Sequence, residues 1–221
     1  MVEELEFDAY LNISNNKFGI YLFDKINMKN IYQKETKFNP VNEFIDIKLL
    51  ILFLEDNIFK IEKLIGRFIK NIILIIESSR IYDLNIGIKK KDNKKTITKE
   101  YLKNTLTEAK DLVKETYQNQ KIMHMIVNKY LIDGNHYSEF LTDIKSNHLC
   151  LEIQFILIPN NFVIEIDKVL EKYQIKIVRY LSEKYTKNLF IEKNMEFSQM
   201  VFKVLNYFNV NEVEVSQKNH K

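Results

Sequence analysis

Cysteine occurs once in the 221 residues, at Cys150, so no internal disulfide can close and nothing suggests a stapled, secreted scaffold. A reducing cytoplasm fits. Glycine and proline are scarce too, 4 and 2, while isoleucine, lysine and asparagine abound, a bias that fits an AT-rich genome and carries no function. No long apolar run exists. The greasiest windows, LLILFL at Leu49–Leu54 and NIILIIE at Asn71–Glu77, are closely flanked by charges and fall far short of the about 20 residues of a spanning helix. Nor does one charge dominate: 33 basic against 30 acidic residues leave +3, which gives no whole-chain argument for nucleic acid or an anionic membrane. The start, MVEELEFDAY, is acidic and lacks the order of a signal peptide, so export is not indicated.

What is present is a globular composition, 46% hydrophobic and 29% charged, enough for one core or two small lobes. FDAYLNI, FGIYLFD and IYQKET mix apolar and polar residues between Asn-rich turns and read as an antiparallel meander. From Asp56, Ile58, Ile61, Ile65 and Phe68 recur at steps of three and four, the stripe of a helix mildly interrupted at Gly66. IILIIE is the β-branched run of a central strand. Beyond it, LNIGIKK reads as a strand, Lys89–Lys99 as a loop, and Thr98 as the N-cap of a helix striped by Leu102, Leu106, Ala109 and Val113, with Glu100 in its first turn. Two long strands, KIMHMIVNKYLID and HLCLEIQFILI, flank a polar loop from Gly134 to Asn147. Pro159 and Asn160-Asn161 then start a helix carrying Val163, Ile166, Leu170 and Tyr173, and IKIVRYL closes the unit. Near the end, Phe197, Met200, Val201, Val204, Leu205, Tyr207 and Phe208 share one arc of a helix over Met195–Phe208, and the polar tail NVNEVEVSQKNHK reads as frayed. The fold class is α+β.

The stretch LNISNNK, Leu11–Lys17, has the frame of a phosphate-binding strand-turn-strand, and FIDIKLLILFLEDNIFKIEKLIGRFIKNIILIIE, TITKEYLKNTLTEAKDLV and KIMHMIVNKYLIDG follow in order. In that order and spacing, with His124, Tyr130, Asp133 and Gly134 in place, the chain resembles the bacterial actin-like cell-division protein FtsA over residues 7–190. The resemblance implies a partial actin-like (ribonuclease-H-like) lobe with an inserted strand-helix-strand-strand subdomain. Its implied boundaries are 1–82 for the first part of the lobe, 83–179 for the insertion, and 180–221 for a return helix, the amphipathic helix and the tail. Two departures stand out. Asn12, Ser14 and Asn15 replace the family's aspartate, glycine and threonine, removing the carboxylate that organises a metal and adding side chains where backbone N–H groups must approach the anion. No second D-x-G-x-x-T loop follows Leu181, and the lobe that contacts FtsZ in that family has no counterpart here.

The expectation is therefore a non-enzymatic interaction module of the cell-division machinery without ATP, any other cofactor or a bound metal, located in the cytoplasm at the inner face of the membrane at the division site. Its implied partners are division proteins and a second copy of itself, not nucleic acid. Two alternatives stay open: a scaffold component of an inner-membrane pilus or secretion assembly related to actin-like pilus proteins, and a nucleotide switch completed by another chain. His124, His136, His148 and Asp133 lack the spacing of a metal motif, and Cys150 beside His148 reads as a small hydrophobe rather than a thiol catalyst. The lysine-rich Lys89–Lys95 reads as a solvated hairpin tip, without the aromatics or arginines that read bases. The stripe Phe197, Met200, Val201, Val204, Leu205 and Phe208 either packs on the lobe, meets a membrane or enters a partner's groove.

Overall fold

A computed structural model describes residues 6–39, 45–141, 143–191 and 193–215, with backbone only at 92–95. The strands are β1 (Phe7–Ile13), β2 (Lys17–Asp24), β3 (Lys29–Lys37), β4 (Asn71–Ile76), β5 (Tyr82–Ile97), β6 (Gln120–Ile132), β7 (Asn135–Tyr137), β8 (Ile144–Pro159) and β9 (Lys176–Ser182). The helices are α1 (Ile47–Ile65), α2 (Lys99–Thr116), α3 (Asn160–Glu171), α4 (Glu183–Asn188) and α5 (Phe197–Leu205). Two compact units result. Among the described residues, the first comprises 6–81 and 161–208, and the second 82–160 and 209–215.

The first unit is built on a five-stranded sheet in the order β3-β2-β1-β4-β9. β1, β2 and β3 form the expected antiparallel meander, while β1, β4 and β9 run parallel through helical crossovers. An α+β lobe results, as the sequence implied. β4 sits between β1 and β9 with five of its six side chains buried, the placement its β-branched run implies.

Helix α1 begins well before Asp56, where periodicity alone put it. Asp46 caps it by accepting from the Leu49 amide at 3.0 Å, and Leu50, Phe53, Leu54, Asn57, Ile58 and Ile61 form one buried stripe. The window LLILFL thus belongs to the helix. At the far end Gly66 adopts φ +68°, the left-handed cap that stops the helix, so Phe68 falls outside it and is 78% exposed. On the sheet, α1 lays Phe53 against Phe18, ring centroids 5.8 Å apart. The opposite face carries Tyr10, Tyr21, Phe23, Ile73, Ile75 and Leu181, and α5 covers it with Val201 and Val204, both fully buried. Burying each such side chain contributes about 1.5–3 kcal/mol.

The second unit is a four-stranded antiparallel sheet, β5-β8-β6-β7, with α2 on one face. Leu106, Ala109 and Val113 meet Ile122, Met125, Val127, Leu149, Leu151, Ile153 and Phe155 there. Thr98 caps α2 as expected, its hydroxyl accepting from the Tyr101 amide at 3.1 Å. β5 departs from expectation by continuing through the lysine run to Ile97, paired with β8 as far as Ile144. Strand pairing prevails over the loop-like composition because alternation lets Lys89 and Lys91 reach solvent while Lys90 pairs with Glu108 of α2. The side chains of 92–95 lie outside the described residues. The loop from Gly134 to Asn147 contains β7 and the start of β8, and Asp133-Gly134, with φ +48° and +85°, closes a two-residue hairpin between β6 and β7.

Three further assignments differ. All of α3 beyond Asn160, together with β9, grouped by sequence with the insertion at 83–179, belongs to the first unit, because β9 hydrogen-bonds along β4. The amphipathic helix shortens to α5. The tail, read as frayed, contains Asn211–Val213 paired with β6, and residues 216–221 lie outside the described residues.

Candidate functional site

The turn between β1 and β2 is where the sequence resemblance puts a phosphate loop, and its own side chains fill it. The Ser14 amide donates to the Lys17 carbonyl at 2.9 Å, and the Ser14 hydroxyl lies 2.9 Å from Asn16 Oδ1 and 3.2 Å from the same carbonyl. A backbone N–H used inside the turn does not point at an anion. Ser14 is 2% exposed, Asn15 is half-buried, and Asn12 is fully buried. Among the described residues, neither atom of the Asn12 carboxamide has a partner within hydrogen-bond geometry. Tyr21 donates to Glu35, and burial first, then that bond, push its phenol far above the ordinary range.

Beside the turn, Glu183 opens α4, which Ser182 caps by accepting from the Tyr185 amide at 3.2 Å. The Glu183 carboxylate is 1% exposed and takes Lys17 at 3.2 Å and Lys187 at 2.5 Å on the same oxygen. Burial opposes its charge, but the Lys187 hydrogen bond and the Lys17 charge outweigh burial and hold the carboxyl below its ordinary value. Among the described residues, its second oxygen, the Thr186 hydroxyl and the Ser198 hydroxyl are buried without a partner. Phe197 of α5 lies across the group, its ring centroid 5.6 Å from Lys17 Nζ, 5.9 Å from Lys187 Nζ and 6.0 Å from the Tyr21 ring. Chemically this is a buried carboxylate whose charge is already met, while Lys187 keeps 51% of its side chain exposed. A carboxylate bonded to two ammonium groups has little charge left to organise a divalent cation.

The remaining sequence candidates are dispersed. Of the terminal stripe, Val201 and Val204 are buried, Phe197, Met200 and Leu205 are half-buried against the sheet, and Phe208 is 42% exposed, its ring tilted 44° against Phe190 at 4.7 Å. A helix cannot offer to a lipid or a partner the residues it has already buried, so most of this stripe serves the lobe. In the second unit, His124 is fully buried and bonded to Glu212 at 2.8 Å, while exposed His136 sits on β7. His148 has its Nδ1 3.7 Å from Asp133, and half-buried Cys150 lies opposite Lys89 and Leu131. These residues border an open depression with Gly134 and Asn147, but Asp133 already accepts the amides of Asn147 and His148 at 3.0 and 2.9 Å. Among the described residues, no three His, Cys, Asp or Glu side chains gather as a metal site.

Sequence reasoning missed Glu183, Lys187 and Glu212. The spacing of Glu183 and Lys187, four apart, was a readable helical signal; Glu212, in a polar tail, gave none.

No family model matches the chain, and no curated protein matches it. Among solved structures, a chain of the PilM-PilN type IV pilus biogenesis complex matches with a TM-score of 0.54 at 8% identity, over 84% of this chain and 50% of that one. The likeness is one of fold. The chain spans half the length of that relative. The cytoplasmic domain of EpsL, an inner-membrane component of the Vibrio cholerae type II secretion system, matches at 0.43 with 6% identity over 82% and 59% of the two chains. A Bacteroides thetaiotaomicron protein described as having an actin-like ATPase fold matches at 0.35 with 14% identity over 88% and 61%. None of these relatives is FtsA. No helix among the described residues is long and apolar enough to cross a membrane.

Proposed function

We propose that this chain is a non-catalytic, actin-like scaffold component of an inner-membrane pilus or secretion assembly, working through protein contacts without ATP. The observation that carries this reading is the closed turn at Asn12–Lys17, where the carboxylate that the resemblance implies is a neutral amide and the Ser14 amide is spent on the Lys17 carbonyl. An actin-like lobe with no working phosphate loop retains its surfaces and loses its chemistry. The likeness to a chain of a pilus biogenesis complex supports the pilus reading over the division machinery. The division reading rests on the order of His124, Tyr130, Asp133 and Gly134 along the chain. Affinity capture of the tagged protein from its own cells separates the two. Pilus or secretion proteins are expected, whereas enrichment of division proteins alone, with the fusion at midcell, overturns the assignment. Calorimetry with magnesium-ATP tests the missing chemistry separately: micromolar binding by the isolated protein removes the non-catalytic part.

A further inference from the structure

The polar tail carries a structured strand in the second unit. Val127 donates its amide to the Asn211 carbonyl at 3.0 Å and Val213 donates to the Met125 carbonyl at 2.8 Å, so Asn211–Val213 runs antiparallel along β6, with Ile126 opposite Glu212. Along the other edge of β6, where it pairs with β8, register shifts between Ile122 and His124 and between Val127 and Lys129 bracket the segment. Between them His124, fully buried, meets the Glu212 carboxylate at 2.8 Å. Asn211 adds a bond from its amide to the Ser138 carbonyl at 2.7 Å and accepts from the Tyr130 hydroxyl at 3.3 Å, while Val213 and Val215 lie against the core beneath α2.

This arrangement has the parts of recognition by strand addition: main-chain bonds for affinity, and pockets for alternate side chains for selectivity. The buried imidazole makes the edge selective, because a carboxylate opposite it forms a charge-assisted bond that an apolar residue cannot. Two ladder hydrogen bonds and one side-chain pair form the centre of the hold on the tail, few enough for a competing segment to replace.

We propose that Met125–Val127 is a strand-acceptor slot, occupied in cis by residues 209–215, and that it receives an extended partner segment in which apolar residues alternate with acidic ones and a carboxylate faces His124. The tail is then a built-in competitor that keeps the slot closed until a better segment arrives. This goes beyond the scaffold reading and holds whichever assembly the chain serves. The probe is a fluorescein-labelled peptide copying residues 209–215, titrated by anisotropy into the full chain and into Val213→Pro, which removes the donor to Met125. Peptide binding at least about tenfold tighter to the variant than to the unaltered chain is expected, as is a loss of about tenfold when alanine replaces the peptide's glutamate. Glu212→Ala, which leaves the tail backbone intact, should open the slot to a smaller extent. A folded Val213→Pro chain that takes up no peptide overturns the proposal, as does equal binding of the glutamate-free peptide. Unfolding of the second unit by both substitutions shows a purely structural strand, and a tail-exchanged dimer of the unaltered chain shows a self-assembly contact; either result overturns it too.

Discussion

Glu183→Gln separates the structural account of the polar cluster from a reading of it as an open, waiting site. The native carboxylate is 1% exposed and bonded to Lys17, whose side chain is 16% exposed, and to Lys187, which is 51% exposed. Without the charge, Lys187 turns to water and its share of the loss is about 0.5 kcal/mol. Lys17 cannot escape as easily, and its lost charge-assisted bond costs about 1.5–3 kcal/mol. The sum, about 2–3.5 kcal/mol, corresponds to a melting point lowered by about 5–12 °C for a chain of this size. Thermal unfolding followed by far-ultraviolet circular dichroism reads it. The pH dependence has a definite sign. Because the folded carboxyl is held below its ordinary value of 4.5, its contribution is complete above that pH and fades as pH falls through the lower folded value. The gap between native protein and variant should therefore be constant near neutrality and close in acid. A variant within about 0.5 kcal/mol of the native chain at pH 7 refutes the reasoning, since that is the range of an exposed pair.

Three shorter tests follow from the same geometry. Gly19→Ala places a Cβ 2.8 Å from the Tyr21 oxygen, which is buried and engaged with Glu35, so a loss of about 1–3 kcal/mol in urea unfolding is expected. Phe197→Ala should cost about 1–2 kcal/mol of stability yet leave the protein without micromolar magnesium-ATP binding; calorimetric heat on adding the nucleotide contradicts the closed-turn account. Asp133→Ala removes the acceptor for the amides of Asn147 and His148 and puts alanine at φ +48°, which should cost about 1–3 kcal/mol and speed hydrogen exchange at those two amides.

Local sequence carried much of the first sheet. Three short mixed runs between Asn-rich turns are the meander, and a β-branched run is its central strand, because burial on both faces demands continuous apolar side chains. Thr98 and Gly134 were legible for the same kind of reason, since a cap and a positive-φ turn need particular residue types. The uncharged turn was legible too, because Asn12, Ser14 and Asn15 bring no carboxylate whatever surrounds them.

The composition of Lys89–Lys95 misled about β5, since pairing with β8 was invisible from one strand alone. The same holds for α3 and β9, whose allegiance depends on which strand lies next to β4. The sequence by itself determined the α+β character, the meander, the neutral amide at position 12 and the amphipathic stripe at the end, all properties of neighbours a few residues apart. Tertiary structure alone decided that this stripe closes the lobe, that Glu183 and Lys17, 166 residues apart, neutralise each other, and that Glu212 finds His124 from 88 residues away. The reason is one of range: periodicity and turn chemistry act over a few residues, whereas the partner of a buried charge is chosen by how distant segments fold against each other.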